Sequence, residues 1–171
     1  GNKIGNEGEP LTFNGSASWD TASDNSSLNY VWYSGDGNSK AGKVVSHAYG
    51  DDGIYDATLV VTDGNAYADS DMITVTVNNL APMVYPIGNQ AVRQGVPFTL
   101  RINASDVSAD ALAFSDNATL FDINPATGII QFTPTNGDVG AHFVRVTVAD
   151  DDGGSNFTDF KITVSNSNDP P

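Results

Sequence analysis

Tyr55-Asp56-Ala57-Thr58-Leu59-Val60-Val61-Thr62-Asp63 and His142-Phe143-Val144-Arg145-Val146-Thr147-Val148-Ala149-Asp150 stand 87 residues apart and decide the fold. In the first stretch Tyr55, Ala57, Leu59 and Val61 recur at every second position, and in the second Val144, Val146 and Val148 do the same. A period of two is that of a β-strand with one buried face. Both stretches end on an aspartate, Asp63 and Asp150.

Working outward, the same offset relates Gly8, Pro10, Thr12, Ala17 and Ser18 to Gly95, Pro97, Thr99, Ala104 and Ser105, and Asp51 and Gly53 to Asp138 and Gly140. After a two-residue insertion the offset becomes 89, matching Ile73-Thr74-Val75 with Ile162-Thr163-Val164, Asn79 with Asn168 and Pro82 with Pro171. Repetition at a fixed period marks tandem modules, here residues 1–80 and 81–171. The closing Asn-x-x-Pro pattern repeats the one that joins the copies, so a further module is expected in the parent protein.

Other segments alternate in the same way: Leu11 and Phe13, then Ile73, Val75 and Val77, and in the second copy Phe98, Leu100 and Ile102, then Phe160, Ile162 and Val164. The intervening positions are mostly Thr, Asp, Asn, Arg and Lys, as solvent-facing positions of half-buried strands are. Gly, Asn, Asp and Pro clusters punctuate these runs, which predicts an all-β chain of two tandem immunoglobulin-like antiparallel β-sandwiches with almost no helix.

Composition narrows the role. With 21 acidic against 7 basic side chains the net charge is −14, a field that repels phosphate backbones and excludes nucleic acid as a partner. There are no cysteines, so the usual staple of small extracellular domains is missing and thiol chemistry is excluded. No apolar run of about 18 residues is present to cross a bilayer as a helix. No Gly-x-Ser-x-Gly, phosphate loop or zinc-ligand spacing occurs. The five Asn-x-Ser/Thr triplets, at Asn14, Asn25, Asn103, Asn117 and Asn156, permit glycosylation without indicating it in so Asn-rich a chain.

Family likeness follows from particular motifs. Asn6-Glu7-Gly8-Glu9-Pro10, Trp32-Tyr33-Ser34-Gly35-Asp36-Gly37, His47-Ala48-Tyr49, Gly53-Ile54-Tyr55 and Val61-Thr62-Asp63-Gly64 resemble the PKD (polycystin-type) domain. Tyr33 and Ser34 depart from that family's Trp-Asp-Phe-Gly-Asp-Gly pattern. Asn124-Pro125-Ala126-Thr127-Gly128, Thr133-Pro134-Thr135, Asp138-Val139-Gly140 and Val148-Ala149-Asp150 resemble a dystroglycan-type cadherin-like domain, also described as an Ig module of prokaryotic surface proteins. The resemblance implies an extracellular, cell-surface location and a non-catalytic spacer or adhesive role.

Within a sandwich several residues take structural work. Trp32 is expected in the core, Tyr55 in a tyrosine corner bonding nearby backbone, His142 as the imidazole that replaces it, and His47 packing near Trp32. Gly35-Asp36-Gly37 reads as a turn. The strand from Asp69 to Val77 reads as an exposed edge whose acids discourage pairing between chains.

The acidic loops carry the candidate site. In the first module Asp20, Asp24, Asp63, Asp69 and Asp71 are expected at one end, with Glu7, Glu9, Asp51 and Asp52 at the other beside Asn78 and Asn79. In the second module Asp106, Asp110, Asp150, Asp151 and Asp152 are expected together. Crowded carboxylates call for a counterion, and Ca²⁺, with about six to eight oxygen ligands, is the natural one. The resemblance to cadherins implies Ca²⁺ shared at the joint, although Asn78-Asn79 lacks the linker aspartate and Asp106-Val107-Ser108-Ala109-Asp110 lacks a middle carboxylate. The competing reading is that Asp, Asn, Ser and Gly are here as turn formers.

The expected function is thus a spacer or adhesive segment of a cell-surface or filament protein, with neighbouring domains of the same chain or other surface proteins as partners. The alternative is an accessory module of a secreted hydrolase that binds polysaccharide or protein. Trp19, Tyr33, Tyr67 and Tyr85 would be its contact aromatics, and alignment of Trp19 with Tyr33 on one sheet face would favour it.

Overall fold

The structure is a computed structural model, which describes residues 1–21, 27–107 and 110–166. Asp24 and Asn25, Ser108 and Ala109, and the Asn-x-x-Pro of residues 168–171 lie outside the described residues. The chain forms two compact units, Gly1–Leu80 and a second beginning at Ala81. Among the described residues there is no α-helix, and a 3₁₀ turn lies at Asn136–Asp138.

In the first unit, strands β1 (Lys3–Asn6), β2 (Pro10–Asn14), β3 (Asn29–Tyr33), β4 (Ser39–Ala41), β5 (Val44–Ala48), β6 (Gly53–Thr62) and β7 (Ala68–Asn78) form two layers. A five-stranded sheet has the order β1-β7-β6-β3-β4, and β2 pairs with β5 in a ribbon. Alternation places Tyr30 and Trp32 of β3, Ala57 and Leu59 of β6 and Val75 and Val77 of β7 in one buried cluster with Phe13 of β2 and Tyr49. The Trp32 and Phe13 rings are 5.3 Å apart, so Trp32 is a core residue, as expected.

The second unit repeats the plan with β8 (Met83–Val84), β9 (Gln90–Arg93), β10 (Phe98–Arg101), β11 (Ala104–Ser105), β12 (Ala113–Asp116), β13 (Ile129–Phe132), β14 (Gly140–Ala149) and β15 (Ser155–Ser165). The main sheet runs β12-β14-β15-β9, and β10 pairs with β13. Its core gathers Val92, Ile102, Phe121, Ile123, Ile130, Val144, Val146, Phe160, Ile162 and Val164. Each unit is an immunoglobulin-like β-sandwich.

Two details differ from the sequence reading. The first strand of the first unit and the second strand of the second unit pair in parallel with the last strand of their own unit, β1 with β7 and β9 with β15, whereas the other ladders are antiparallel. A period of two records which face is buried and not which neighbour lies alongside. For the same reason the edge expected from Asp69 to Val77 is only half open: β1 lies alongside β7 from Val75 to Asn78, whereas Ala68 to Thr74, with Asp69 and Asp71, has β6 as its only ladder partner among the described residues.

The family motifs have physical work to do. Asn124 Oδ1 accepts the N–H groups of Ala126 and Thr127, both at 3.0 Å, and the turn closes at Gly128, whose φ of 65° suits glycine. A Cβ there would stand 2.9 Å from the Ile102 carbonyl oxygen. Asp138 closes the 3₁₀ turn by accepting the N–H of Thr135 at 2.7 Å and its hydroxyl at 2.8 Å. That amide, then the hydroxyl, holds the Asp138 carboxyl below its ordinary range.

Candidate functional site

The first carboxylate site is built where the chain enters and leaves the first unit. Glu7 follows β1 and is fully buried. Its amide bonds the Asn78 carbonyl at 3.1 Å, while its Oε1 accepts the N–H of Leu80 at 2.6 Å. The β5–β6 turn carries Asp51 and Asp52, held from behind by Tyr55, whose hydroxyl donates to their carbonyl oxygens at 3.0 and 3.2 Å. One carboxylate oxygen from each of Glu7, Asp51 and Asp52 lies within 4.8 Å of the others. Three oxygens so spaced could share a hard divalent cation, with water or carbonyl groups completing the shell.

Glu9 does not join them, because its carboxylate accepts the Asn6 side-chain amide at 3.2 Å. Asn78 closes β7, and its side-chain amide donates to Asn6 Oδ1 at 3.4 Å. Asn79 is partly buried just beyond. Burial, and then the charges of Asp51, Asp36, Asp52 and Glu7, push the Tyr55 hydroxyl pKa up.

At the other end of the first unit Asp20, Asp63, Asp69 and Asp71 line one open cleft of about 860 Å³ with Trp19, Tyr67 and Trp32. These acids share the cleft as expected. Among the described residues, however, no three of them bring carboxylate oxygens within 4.8 Å. Asp63 Oδ1 instead accepts the amides of Asn65 and Tyr67 at 2.8 and 2.9 Å, the turn-forming use of an aspartate.

In the second unit the loop after β11 and the β14–β15 turn meet, since Asp151 Oδ1 accepts the Ala111 amide at 2.8 Å. Asp150 is buried, and its Oδ1 accepts the N–H groups of Asp152 and Gly154 at 3.0 and 2.7 Å. A Cβ on Gly154 would collide with Asp150 Oδ2. Asp106 Oδ1 caps the Val107 amide at 3.0 Å, and its other oxygen is buried with no partner among the described residues. Asp110 sits in the same loop, its amide 3.3 Å from the Val107 carbonyl. Asp106, Asp110, Asp150, Asp151 and Asp152 are thus clustered loop acids, although no three of the second unit by itself meet the 4.8 Å spacing among the described residues.

Sequence reasoning missed a polar network in the first unit. His47 Nε2 lies 2.6 Å from Asp36 Oδ2, and its ring meets Tyr49 edge-on at 4.7 Å. Tyr49 stacks on Tyr55 at 4.4 Å and donates its hydroxyl to the Ser34 carbonyl at 2.9 Å. Burial opposes ionisation of Asp36, but bonds from Asn38 and His47 outweigh it and hold the carboxyl below its usual range. Burial, then the charges of Asp36 and Tyr55, push the Tyr49 hydroxyl up to about 12. The signal was the His-x-Tyr spacing downstream of Gly-Asp-Gly; it identified the turn but not the pairing across it.

The aromatics do not form a row. Tyr33 is exposed on β3 and belongs to the face opposite Trp32, whereas Trp19 lies in the loop after β2 and lines the cleft with Tyr67. Trp19 and Tyr33 therefore share no sheet face. Tyr85 belongs to the second unit.

Fold and site together define a pair of immunoglobulin-like sandwich modules with carboxylate-bearing ends. Residues 1–77 match the family model of the PKD domain and residues 81–165 that of the "Putative Ig domain", and the chain belongs to these two families in that order. Chitinase A of Pseudoalteromonas piscicida is 32% identical over 102 residues, which is 54% of this chain and 12% of that protein. Among solved structures the insect immune protein hemolin covers 96% of this chain and 45% of its own, at 15% identity and a TM-score of 0.52, a likeness of fold. Drosophila N-cadherin EC1-4 covers 81% of this chain and 42% of its own, at 17% identity and a TM-score of 0.43, too loose a likeness to argue from.

Proposed function

We propose that this chain is a non-catalytic, extracellular spacer or adhesive segment of a larger surface protein, with Ca²⁺ bound at the ends of its sandwiches. The observation that carries the reading is the Glu7 arrangement. A buried carboxylate of the first turn holds the Leu80 amide at 2.6 Å where the chain leaves the sandwich, and Asp51 and Asp52 bring carboxylate oxygens within 4.8 Å. An ion there would tie the first turn, the β5–β6 turn and the outgoing strand to one point, lowering their freedom to move. The grouped acids Asp106, Asp110, Asp150, Asp151 and Asp152 supply a comparable oxygen-rich surface in the second unit. Calorimetric titration with Ca²⁺ tests this: saturable heat that Asp51→Asn with Asp52→Asn removes is the expected result, and its absence would end the metal reading.

A second reading has one observation in its favour. The similarity to chitinase A supports a place among the accessory modules of a secreted hydrolase, where the chain would hold polysaccharide near a separate catalytic domain. Co-sedimentation with insoluble polysaccharide separates the two readings, because a spacer stays in the supernatant.

A further inference from the structure

The open cleft of the first unit goes beyond the spacer role and is independent of the metal reading. It arises because the two layers differ in length. The β2–β5 ribbon covers the main sheet only as far as Asn14, which pairs with Val44, while β6 and β7 run on to Thr62 and back from Ala68. Across that ladder Leu59 faces Asp71 and Val61 faces Asp69, and directly opposed residues share a face. The inward face of β7 therefore changes from Val77, Val75 and Ile73 to Asp71 and Asp69 where the cover ends. Gly15 lets the departing loop cross close to Leu59 and Tyr30, since a Cβ would stand 2.9 Å from Leu59 Cδ2. That loop carries Trp19.

Three features of the cleft point to one ligand chemistry. Asp20, Asp63, Asp69 and Asp71 line it, and Lys3 is the only basic side chain among its described lining residues, with its ammonium engaged over the Phe13 ring at 5.7 Å. Trp19 and Tyr67, 83% and 78% exposed, present ring faces that attract cations. Trp32, which also lines the cleft, is 94% buried and its indole N–H has no acceptor among the described residues. A buried donor without a partner is costly, and a ligand carbonyl would satisfy it. We propose that this cleft binds a basic peptide segment, with an arginine or lysine side chain against Asp69 and Asp71, its stem over Trp19 and Tyr67, and a backbone carbonyl accepting from Trp32. The cleft, about 860 Å³, lies within the roughly 300–1,000 Å³ of ligand sites.

The test is an NMR titration of the whole chain, in chelator, with a capped Gly-Arg-Gly-Arg-Gly peptide. Its citrulline counterpart and a chito-oligosaccharide serve as neutral probes. Saturable movement of the Trp32 indole resonance with the arginine peptide alone is expected. Asp69→Asn with Asp71→Asn, both exposed and tolerant of the change, should weaken binding about tenfold or more, and Asp51→Asn with Asp52→Asn should leave it unchanged. Equal binding of the citrulline peptide would overturn the proposal. So would equal loss in the Asp51/Asp52 variant, which would show general charge attraction, or movement with the oligosaccharide alone, which would make the cleft a glycan site.

Discussion

Tyr55 and His142, 87 residues apart in the chain, perform the same task in their own units. Tyr55 donates its hydroxyl to the Asp51 carbonyl at 3.0 Å, and His142 Nε2 donates to the Asp138 carbonyl at 2.8 Å. Asp51 and Asp138 are themselves 87 residues apart, so the repeat preserves a backbone acceptor at the corner while the donor changes from phenol to imidazole. The bond also assigns the proton of His142 to Nε2, since a carbonyl can only accept.

The corner is worth one hydrogen bond in each unit. Tyr55→Phe should lower stability by about 1 kcal/mol. His142→Phe should cost a similar amount, while His142→Tyr, which restores a donor, should cost less. Thermal unfolding of each variant measures the difference.

Two glycines of one turn separate steric cost from conformational cost. Gly35 and Gly37 have φ of 87° and 89°, but a Cβ on Gly35 would stand 2.7 Å from the Asp56 carbonyl oxygen and one on Gly37 would meet open space. Gly37→Ala should cost about 1–2 kcal/mol, the penalty of left-handed backbone. Gly35→Ala should cost clearly more, and equal losses in denaturant unfolding would contradict the geometry.

The Asp36 carboxyl gives an acid-side signature. Its folded pKa lies below the ordinary 3.8 of an aspartate, so on acidification the unfolded chain takes up the proton first. The stability that Asp36 contributes is complete above the unfolded value and is lost as pH falls through the lower folded one. Asp36→Asn should therefore be less stable than the parent at neutral pH, with the gap closing below about pH 4. Melting midpoints across that range provide the check.

Tyr49 gives the opposite signature. With its hydroxyl pushed from 10.0 to about 12, its contribution is complete below the unfolded value and is lost as pH rises through the folded one. Ultraviolet titration should show a late-ionising tyrosine that Tyr49→Phe removes, and the parent should lose stability between about pH 10 and 12.

Much of this architecture was legible in the residues because it is written locally. Alternation at Tyr55–Val61 and Val144–Val148 identified the long strands, and the burial of Trp32, the corner at Tyr55 and its replacement at His142 followed from their places in such a sandwich. Expectation also grouped Asp20, Asp63, Asp69 and Asp71 at one end of the first unit, where they line one cleft. What local pattern does not encode is which strand lies beside which. The parallel pairing of β1 with β7, which covers only the Val75–Asn78 part of that strand, escaped for that reason. The cleft escaped because it depends on where one layer stops, at Asn14, relative to another that continues to Thr62. The exclusion of Glu9 from the Glu7, Asp51 and Asp52 group was equally invisible, since it turns on a single bond to Asn6.

The most direct test of the account is the thermal midpoint of the whole chain in millimolar Ca²⁺ and in chelator, at matched ionic strength with Mg²⁺ as control. An ion bound by the native state alone raises stability by mass action, by about 2.7 kcal/mol at one hundred times its dissociation constant. A higher midpoint in Ca²⁺ is expected, with the gain lost in Asp51→Asn with Asp52→Asn. Identical midpoints with and without Ca²⁺ would contradict it.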